Sequence, residues 1–240
     1  MQLYTSEGIV FRTVKYSETS IICDIYTRDK GLRSFIVSGV RTARSAAKAV
    51  VYRPPNLLEI TAYDHPEETK LNRIREAGFS HHYRFVNTDV VMSAIATFML
   101  EVSRNAIREK EANPVMFDFL RNWFVRIDDR EAYHPDLHLY FMLELAGFLG
   151  FGPFPGHSRE HPYFDMLEGV FSETAGAGDY FLNTTDSSLL AALIERDRQV
   201  SKSLNRSDRN RLTGHLITYY KLHLPGFRDI LSLEVLSSVL

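Results

Sequence analysis

The chain has 240 residues, 45% of them hydrophobic and 24% charged, and a formal net charge of −2. That composition is ordinary for a globular protein and excludes disorder as its main character; the length suffices for one large domain or two modest ones. No apolar run approaches the roughly 20 residues that cross a bilayer, and Met1-Gln2-Leu3-Tyr4-Thr5-Ser6-Glu7 lacks the basic and apolar regions of a secretory signal, so a cytoplasmic protein with no membrane partner is expected. Cys23 is the single cysteine, which excludes an intrachain disulfide and a cysteine-based zinc cluster.

The net charge hides an asymmetry. Residues 1–53 hold nine basic residues (Arg12, Lys15, Arg28, Lys30, Arg33, Arg41, Arg44, Lys48 and Arg53) against four acids, a balance of +5, while the remainder holds 19 against 26, or −7. A basic module joined to a more acidic partner is a pattern of polyanion binding; a solvated basic face gives the same count.

In chain order, Ile9-Val10-Phe11, Ile21 to Tyr26 and Phe35-Ile36-Val37 are rich in β-branched and aromatic residues and are separated by turn signals at Ser17-Glu18 and Asp29-Lys30-Gly31. Leu57 to Tyr63 reads as a fourth strand, introduced by Pro54-Pro55, and Asn72 to Ala77 as a weaker fifth. Five short strands with a longer connection after the third fit a Greek-key barrel of the OB type. The basic run from Ser38 to Lys48 falls in that connection.

After Gly78 the period changes to that of helices. Asn87 is a cap for a helix from about Thr88 or Asp89 to about Lys110, and Asn113-Pro114 opens a second that runs to about Asp129. Pro135 opens a third, which stops at Gly147, Gly150 and Gly152. Residues 151–183 form an irregular insertion, with Val170-Phe171 and Tyr180-Phe181 as candidate hairpin arms. Helical patterns return at Ser187 to Glu195 and Arg209 to His223, with a short terminal turn from Ser232. The expected architecture is α+β: an OB-fold domain over residues 1–79 and a helical domain over residues 80–240.

The residues offer little catalytic chemistry. There is no Walker glycine loop, no G-x-S-x-G elbow, no H-E-x-x-H and no dinucleotide fingerprint, and the glycines from Gly147 to Gly152 end a helix instead of opening one. His81-His82 and the pair His157 and His161 read as surface or turn histidines: adjacent side chains diverge in a strand, and the prolines around the second pair prevent the helix that would make it converge. No cofactor, metal or enzymatic activity is expected.

Single-stranded nucleic acid binding requires cations along the phosphates and aromatic platforms for bases. The nine basic residues supply the first, and Tyr16, Tyr26, Tyr52 and Phe35 are either platforms or barrel core. A second basic cluster, Arg196, Arg198, Lys202, Arg206, Arg209 and Arg211, either extends such a track or forms a solvated connection. A protein-interaction scaffold built on the same barrel, without direct DNA binding, is the competing reading.

Gly8-Ile9-Val10-Phe11-Arg12, Tyr16-Ser17-Glu18-Thr19-Ser20, Tyr26-Thr27-Arg28-Asp29-Lys30-Gly31 and Ser38-Gly39-Val40-Arg41 together resemble the amino-terminal signature of the RecO family of bacterial recombination mediators. Leu145 to Phe151, Phe164 to Phe171 and Leu231 to Leu236 are similar to later family segments, so the likeness spans nearly the whole chain. It implies an OB domain on a helical domain and a non-enzymatic role in DNA repair and homologous recombination. The implied activities are binding single- and double-stranded DNA, annealing complementary strands coated by single-stranded-DNA-binding protein (SSB), and assisting RecA loading together with RecR.

Three departures stand out. Ser38 occupies the place where many family members have lysine; the insertion lacks the cysteines of a zinc module; and Leu139-Tyr140-Phe141 replaces the Arg-Phe-Glu that often begins the helix of the pocket for the SSB carboxyl-terminal tail. Arg121, Arg126 and Arg130 are the alternative cations for that tail.

Overall fold

In the computed structural model, which describes residues 2–40, 46–65, 71–107, 110–176, 178, 180–196 and 204–240, the chain divides into two compact units, residues 1–133 and 134–240.

The first unit is built on five strands: β1 (Gln2–Lys15), β2 (Ile21–Thr27), β3 (Gly31–Val37), β4 (Leu57–Asp64) and β5 (Asn72–Phe79). They close into a barrel in the order β1-β2-β3-β5-β4, antiparallel throughout except for β3 with β5, where Phe35 pairs with Asn72 and Ile36 with Arg73. This is the five-stranded OB barrel anticipated from the sequence. β1 is far longer than Ile9-Val10-Phe11, because one strand must pair with β2 through its second half and with β4 through its first. A register shift between Val10 and Arg12 bends it between the two partners.

Alternation decides what fills the barrel. Ile21, Cys23 and Ile25 of β2, Phe35 and Val37 of β3, and Leu58, Ile60 and Ala62 of β4 point inward with Val10. The connection between β3 and β4 contains a helix the sequence reading did not anticipate, α1 (Ala46–Val51); Ala49 and Val51 pack against the barrel core with Tyr52 and Val40. Six residues are too few for a helical period to register against the background.

Two helices complete this unit, α2 (Val90–Ala106) and α3 (Pro114–Arg126). The cap of α2 is Asp89, not Asn87: its carboxylate accepts from the amides of Val91 and Met92, both at 3.0 Å. Asn113 caps α3 as expected, accepting from the Met116 amide at 3.0 Å. Phe117 of α3 meets Tyr26, which stacks on Phe11 with ring centroids 5.3 Å apart, so α3 covers the outer face of β1 and β2 at that level. The loop before α3 lies on the β2–β3 hairpin. A Cβ on Gly31, at φ +65°, would come within 2.3 Å of the Glu111 carbonyl oxygen, so conformation and space both demand glycine there.

The second unit contains α4 (Leu137–Phe148), the hairpin β6 (Tyr163–Asp165) and β7 (Val170–Ser172), α5 (Thr184–Ile194), α6 (Arg206–His223) and α7 (Leu233–Val239). α4 packs against α5 and α6, and the Tyr220 hydroxyl donates to the Met142 carbonyl at 2.6 Å. The hairpin arms differ from expectation: Phe164 pairs with Phe171, while Phe181 only bridges to Asp165. α4 begins after Asp136 without a side-chain cap, because that carboxylate is held by Arg209 at 2.7 Å. No described helix is long and apolar enough to cross a membrane.

Candidate nucleic-acid interface

Strand direction sorts the basic residues of the barrel into two groups. The β2–β3 hairpin and the start of β1 lie at one end; the β1–β2 turn, the end of β3 and α1 lie at the other, where the Val40 amide donates to the Thr19 carbonyl at 3.0 Å.

At the hairpin end every candidate cation has a partner. Arg28 donates its Nε and a terminal NH2 to the two carboxylate oxygens of Asp118 at 3.0 and 2.9 Å. Those bonds raise the Arg28 pKa and hold the Asp118 carboxyl below its ordinary value. Lys30 reaches Asp64 at 2.9 Å and lies over the Tyr4 ring, and Arg33 donates to the Lys110 carbonyl at 2.8 Å.

At the α1 end, and for Arg12 midway along the β1–β2 ladder, the charges are open. Arg12, Lys15, Lys48 and Arg53 are exposed and form no ion pair among the described residues. Arg41 and Arg44 lie outside the described residues. Arg12 sits opposite Asp24 across β1 and β2, but Asp24 accepts from the Ser34 hydroxyl at 2.6 Å. Register adds two cations that sequence reasoning did not single out, Arg73 and Arg75, both exposed on β5. Arg73 is opposite Ile36, Ile36 opposite Ile22 and Ile22 opposite Val14, a cross-strand row of half-buried aliphatic side chains ending in a guanidinium. The alternation Asn72-Arg73-Ile74-Arg75 carried that signal, since an inward Ile74 turns both arginines outward.

Of the four aromatic candidates, Tyr16 alone is open, at 57% exposure in the β1–β2 turn. Tyr26 and Phe35 are core residues, and Tyr52 is buried in the cap of the barrel, where desolvation pushes its phenol up to about 12.

The second cluster is engaged elsewhere in its own unit. Arg209 is 7% exposed and donates to Asp136 and to the Leu204 carbonyl. Arg211 bridges Asp186 at 2.7 Å and Asp208 at 2.8 Å, which raises its pKa. Arg206 donates to the Ser237 carbonyl, and Arg196 pairs with Glu144. Arg198 and Lys202 lie outside the described residues.

The three α3-side arginines are exposed or half-buried. Arg121 pairs with Glu7 at 3.1 Å, Arg126 lies over the Trp123 ring at 4.9 Å, and Arg130 over Phe85 at 4.3 Å. On α4, Leu139 and Phe141 are fully buried, whereas Tyr140 lines an open groove with Leu143, Pro153 and Phe154. Among the described residues no group of three or more His, Cys, Asp or Glu side chains could hold a metal ion. The insertion contains no cysteine.

A closed five-stranded barrel with its third-to-fourth connection folded as a capping helix, followed by helices, defines an OB-fold protein with a helical carboxyl-terminal region. Comparison with known proteins narrows this. Residues 1–83 match the family described as Recombination protein O N terminal, and residues 87–229 match Recombination protein O C terminal. The chain is 34% identical over 239 residues to the DNA repair protein RecO of Phocaeicola vulgatus, with 99% of each chain covered. It is 32% identical over 242 residues to that of Flavobacterium psychrophilum, covering 100% of this chain and 99% of the relative. To that of Christiangramia forsetii it is 31% identical over 240 residues, with 99% of each covered. The chain belongs to the RecO family of non-enzymatic recombination mediators and is a DNA repair and recombination protein.

Proposed function

We propose that this protein binds single- and double-stranded DNA through the α1 end of its barrel, anneals complementary strands coated by SSB, and with RecR assists the loading of RecA. The observation that carries the reading is that Lys15, Lys48 and Arg53 at the α1 end, Arg12 midway along the β1–β2 ladder, and Arg73 and Arg75 on β5, which starts beside the end of β3, are all exposed and without ion pairs among the described residues. Arg41 and Arg44, which precede α1 in sequence and lie outside the described residues, are carried by the same proposal.

Cations placed in this way neutralise phosphates without reading bases, and neutralising two backbones lowers the repulsion that opposes strand pairing. No nucleophile, metal or cofactor enters that process. The row Val14, Ile22 and Ile36 offers apolar surface beside the cations, and Tyr16 offers one ring for stacking at its margin. Residues 1–79 act on this reading as the DNA-binding domain, and residues 80–240 as the helical domain, within a cytoplasmic protein. For the acidic SSB tail, Arg126 and Arg130 are preferred over Arg121, because their guanidiniums lie on aromatic rings and Arg121 is matched by Glu7.

Annealing of complementary oligonucleotides precoated with the cognate SSB tests the proposal. Acceleration that is lost on replacing Arg12, Lys48 and Arg73 by Glu supports it. Absence of acceleration by the unaltered protein contradicts it.

A further inference from the structure

The hairpin end of the barrel poses a question that the α1 end does not. Arg28 and Lys30 stand on the same barrel, in a segment as basic in sequence as its surroundings, yet each is met by a carboxylate from outside the hairpin. Asp118 comes from α3 and Asp64 from the end of β4. Both pairs are reachable by solvent: side-chain exposure is 40% for Arg28 against 47% for Asp118, and 38% for Lys30 against 29% for Asp64. Pairs this open contribute little to folding, so their larger consequence is electrostatic. The Asp118 carboxylate engages the Arg28 fork through two parallel bonds, the geometry in which a phosphate would engage it. Glu7 pairs with Arg121, three residues beyond Asp118 on α3, through a single bond of 3.1 Å, so a third carboxylate lies among the cations near this end.

We propose that Asp118 and Asp64 are specificity-determining residues that occupy Arg28 and Lys30 in place of phosphates and so confine a nucleic acid strand to the α1 end of the barrel. This rests on the DNA-binding reading of that end. A strand continuing along the barrel past the hairpin meets Asp118, Asp64 and Glu7, whose charges repel it unless the cations are released. The carboxylates thereby set the length of the footprint, and with it how easily the protein lets go of one strand during pairing with another.

The salt dependence of binding to a labelled oligo-dT strand separates the possibilities, because each phosphate neutralised on a single strand adds about 0.7 to the slope of log K against log salt. The full-length protein with Asp118→Asn and Asp64→Asn is expected to bind about tenfold more tightly at 0.1 M salt, with a slope steeper by about 1.4. In the otherwise unaltered chain, Arg28→Gln and Lys30→Gln are expected to leave slope and affinity unchanged. An unchanged slope in the Asn variant overturns the proposal. So does a shallower slope in the Gln variant, which would mean that phosphates already displace the carboxylates. Lys48→Glu with Arg73→Glu serves as the control: weakened binding there with no effect of the Asn pair defeats this inference alone, whereas no effect there defeats the α1-end reading itself.

Discussion

Arg28 and Asp118 are 90 residues apart in sequence and joined by two hydrogen bonds of 3.0 and 2.9 Å. Among the described residues, that pair helps divide what reads in sequence as one basic module into an end whose cations are matched and a remainder whose cations are open. A count of charges cannot see the division, because the matching carboxylates come from β4 and α3. On the proposed reading, charge and function separate at this surface: an exposed ion pair adds little stability but occupies a cation that would otherwise be open to a phosphate.

The four candidate stacking aromatics, Tyr16, Tyr26, Phe35 and Tyr52, divide in a parallel way. Tyr26 is 1% exposed between Phe11 and Phe117, so Tyr26→Ala is expected to cost about 3–5 kcal/mol of stability in urea unfolding. Tyr16→Ala is expected to leave the unfolding midpoint unchanged and to weaken binding of single-stranded oligonucleotide by about 1–3 kcal/mol, the worth of one stacked base. Equilibrium unfolding and oligonucleotide titration on the two variants check both halves.

Arg209 supports the fold of its own unit. Its guanidinium donates to Asp136, which is fully buried, and to two backbone carbonyls, so Arg209→Ala removes the cation that engages a buried carboxylate at 2.7 Å. The expected loss is about 3–5 kcal/mol of stability for the helical unit. Substituting Arg206 instead is expected to cost less than about 1 kcal/mol, since its contact is an exposed one to a carbonyl. Thermal unfolding followed by circular dichroism distinguishes the two.

Asp186 makes the helical unit sensitive to acid. Burial alone would raise its pKa, but hydrogen bonds from Arg211 at 2.7 Å and His215 at 3.1 Å outweigh burial and lower it. A depressed folded-state pKa means that the stabilisation is fully present above the unfolded carboxylate value of about 3.9 and is lost as pH falls through the lower folded value. Asp186→Asn is therefore expected to be less stable than the unaltered chain at neutral pH, with the difference shrinking below about pH 4. Urea midpoints measured from pH 2.5 to 7 follow it.

The strands were legible because alternation and β-branched runs are local: Ile21, Cys23 and Ile25 announce an inward face without reference to anything distant. Pro114 after Asn113 announced α3 for the same reason. What was not legible depended on partners far along the chain. Arg209 sits in a run of charged residues that reads as solvated, and only its approach to Asp136, 73 residues earlier, makes it interior. Arg73 was overlooked because its place in the interface comes from the parallel pairing of β5 with β3, a register that no segment of β5 specifies alone. Asp89 displaced Asn87 as the cap of α2 because both are good capping residues two positions apart, and sequence preference does not choose between them.

On the proposed reading, DNA is held at the α1 end of the barrel. The direct measurement is the affinity of the protein for a single-stranded oligonucleotide across a salt series, with Arg12, Lys48 and Arg73 replaced together by Glu. The expected result is a large loss of affinity and a slope of log K against log salt shallower by about 2, one increment of about 0.7 for each cation removed, in a protein whose urea midpoint is unchanged. An unaltered slope in that folded variant would contradict the account.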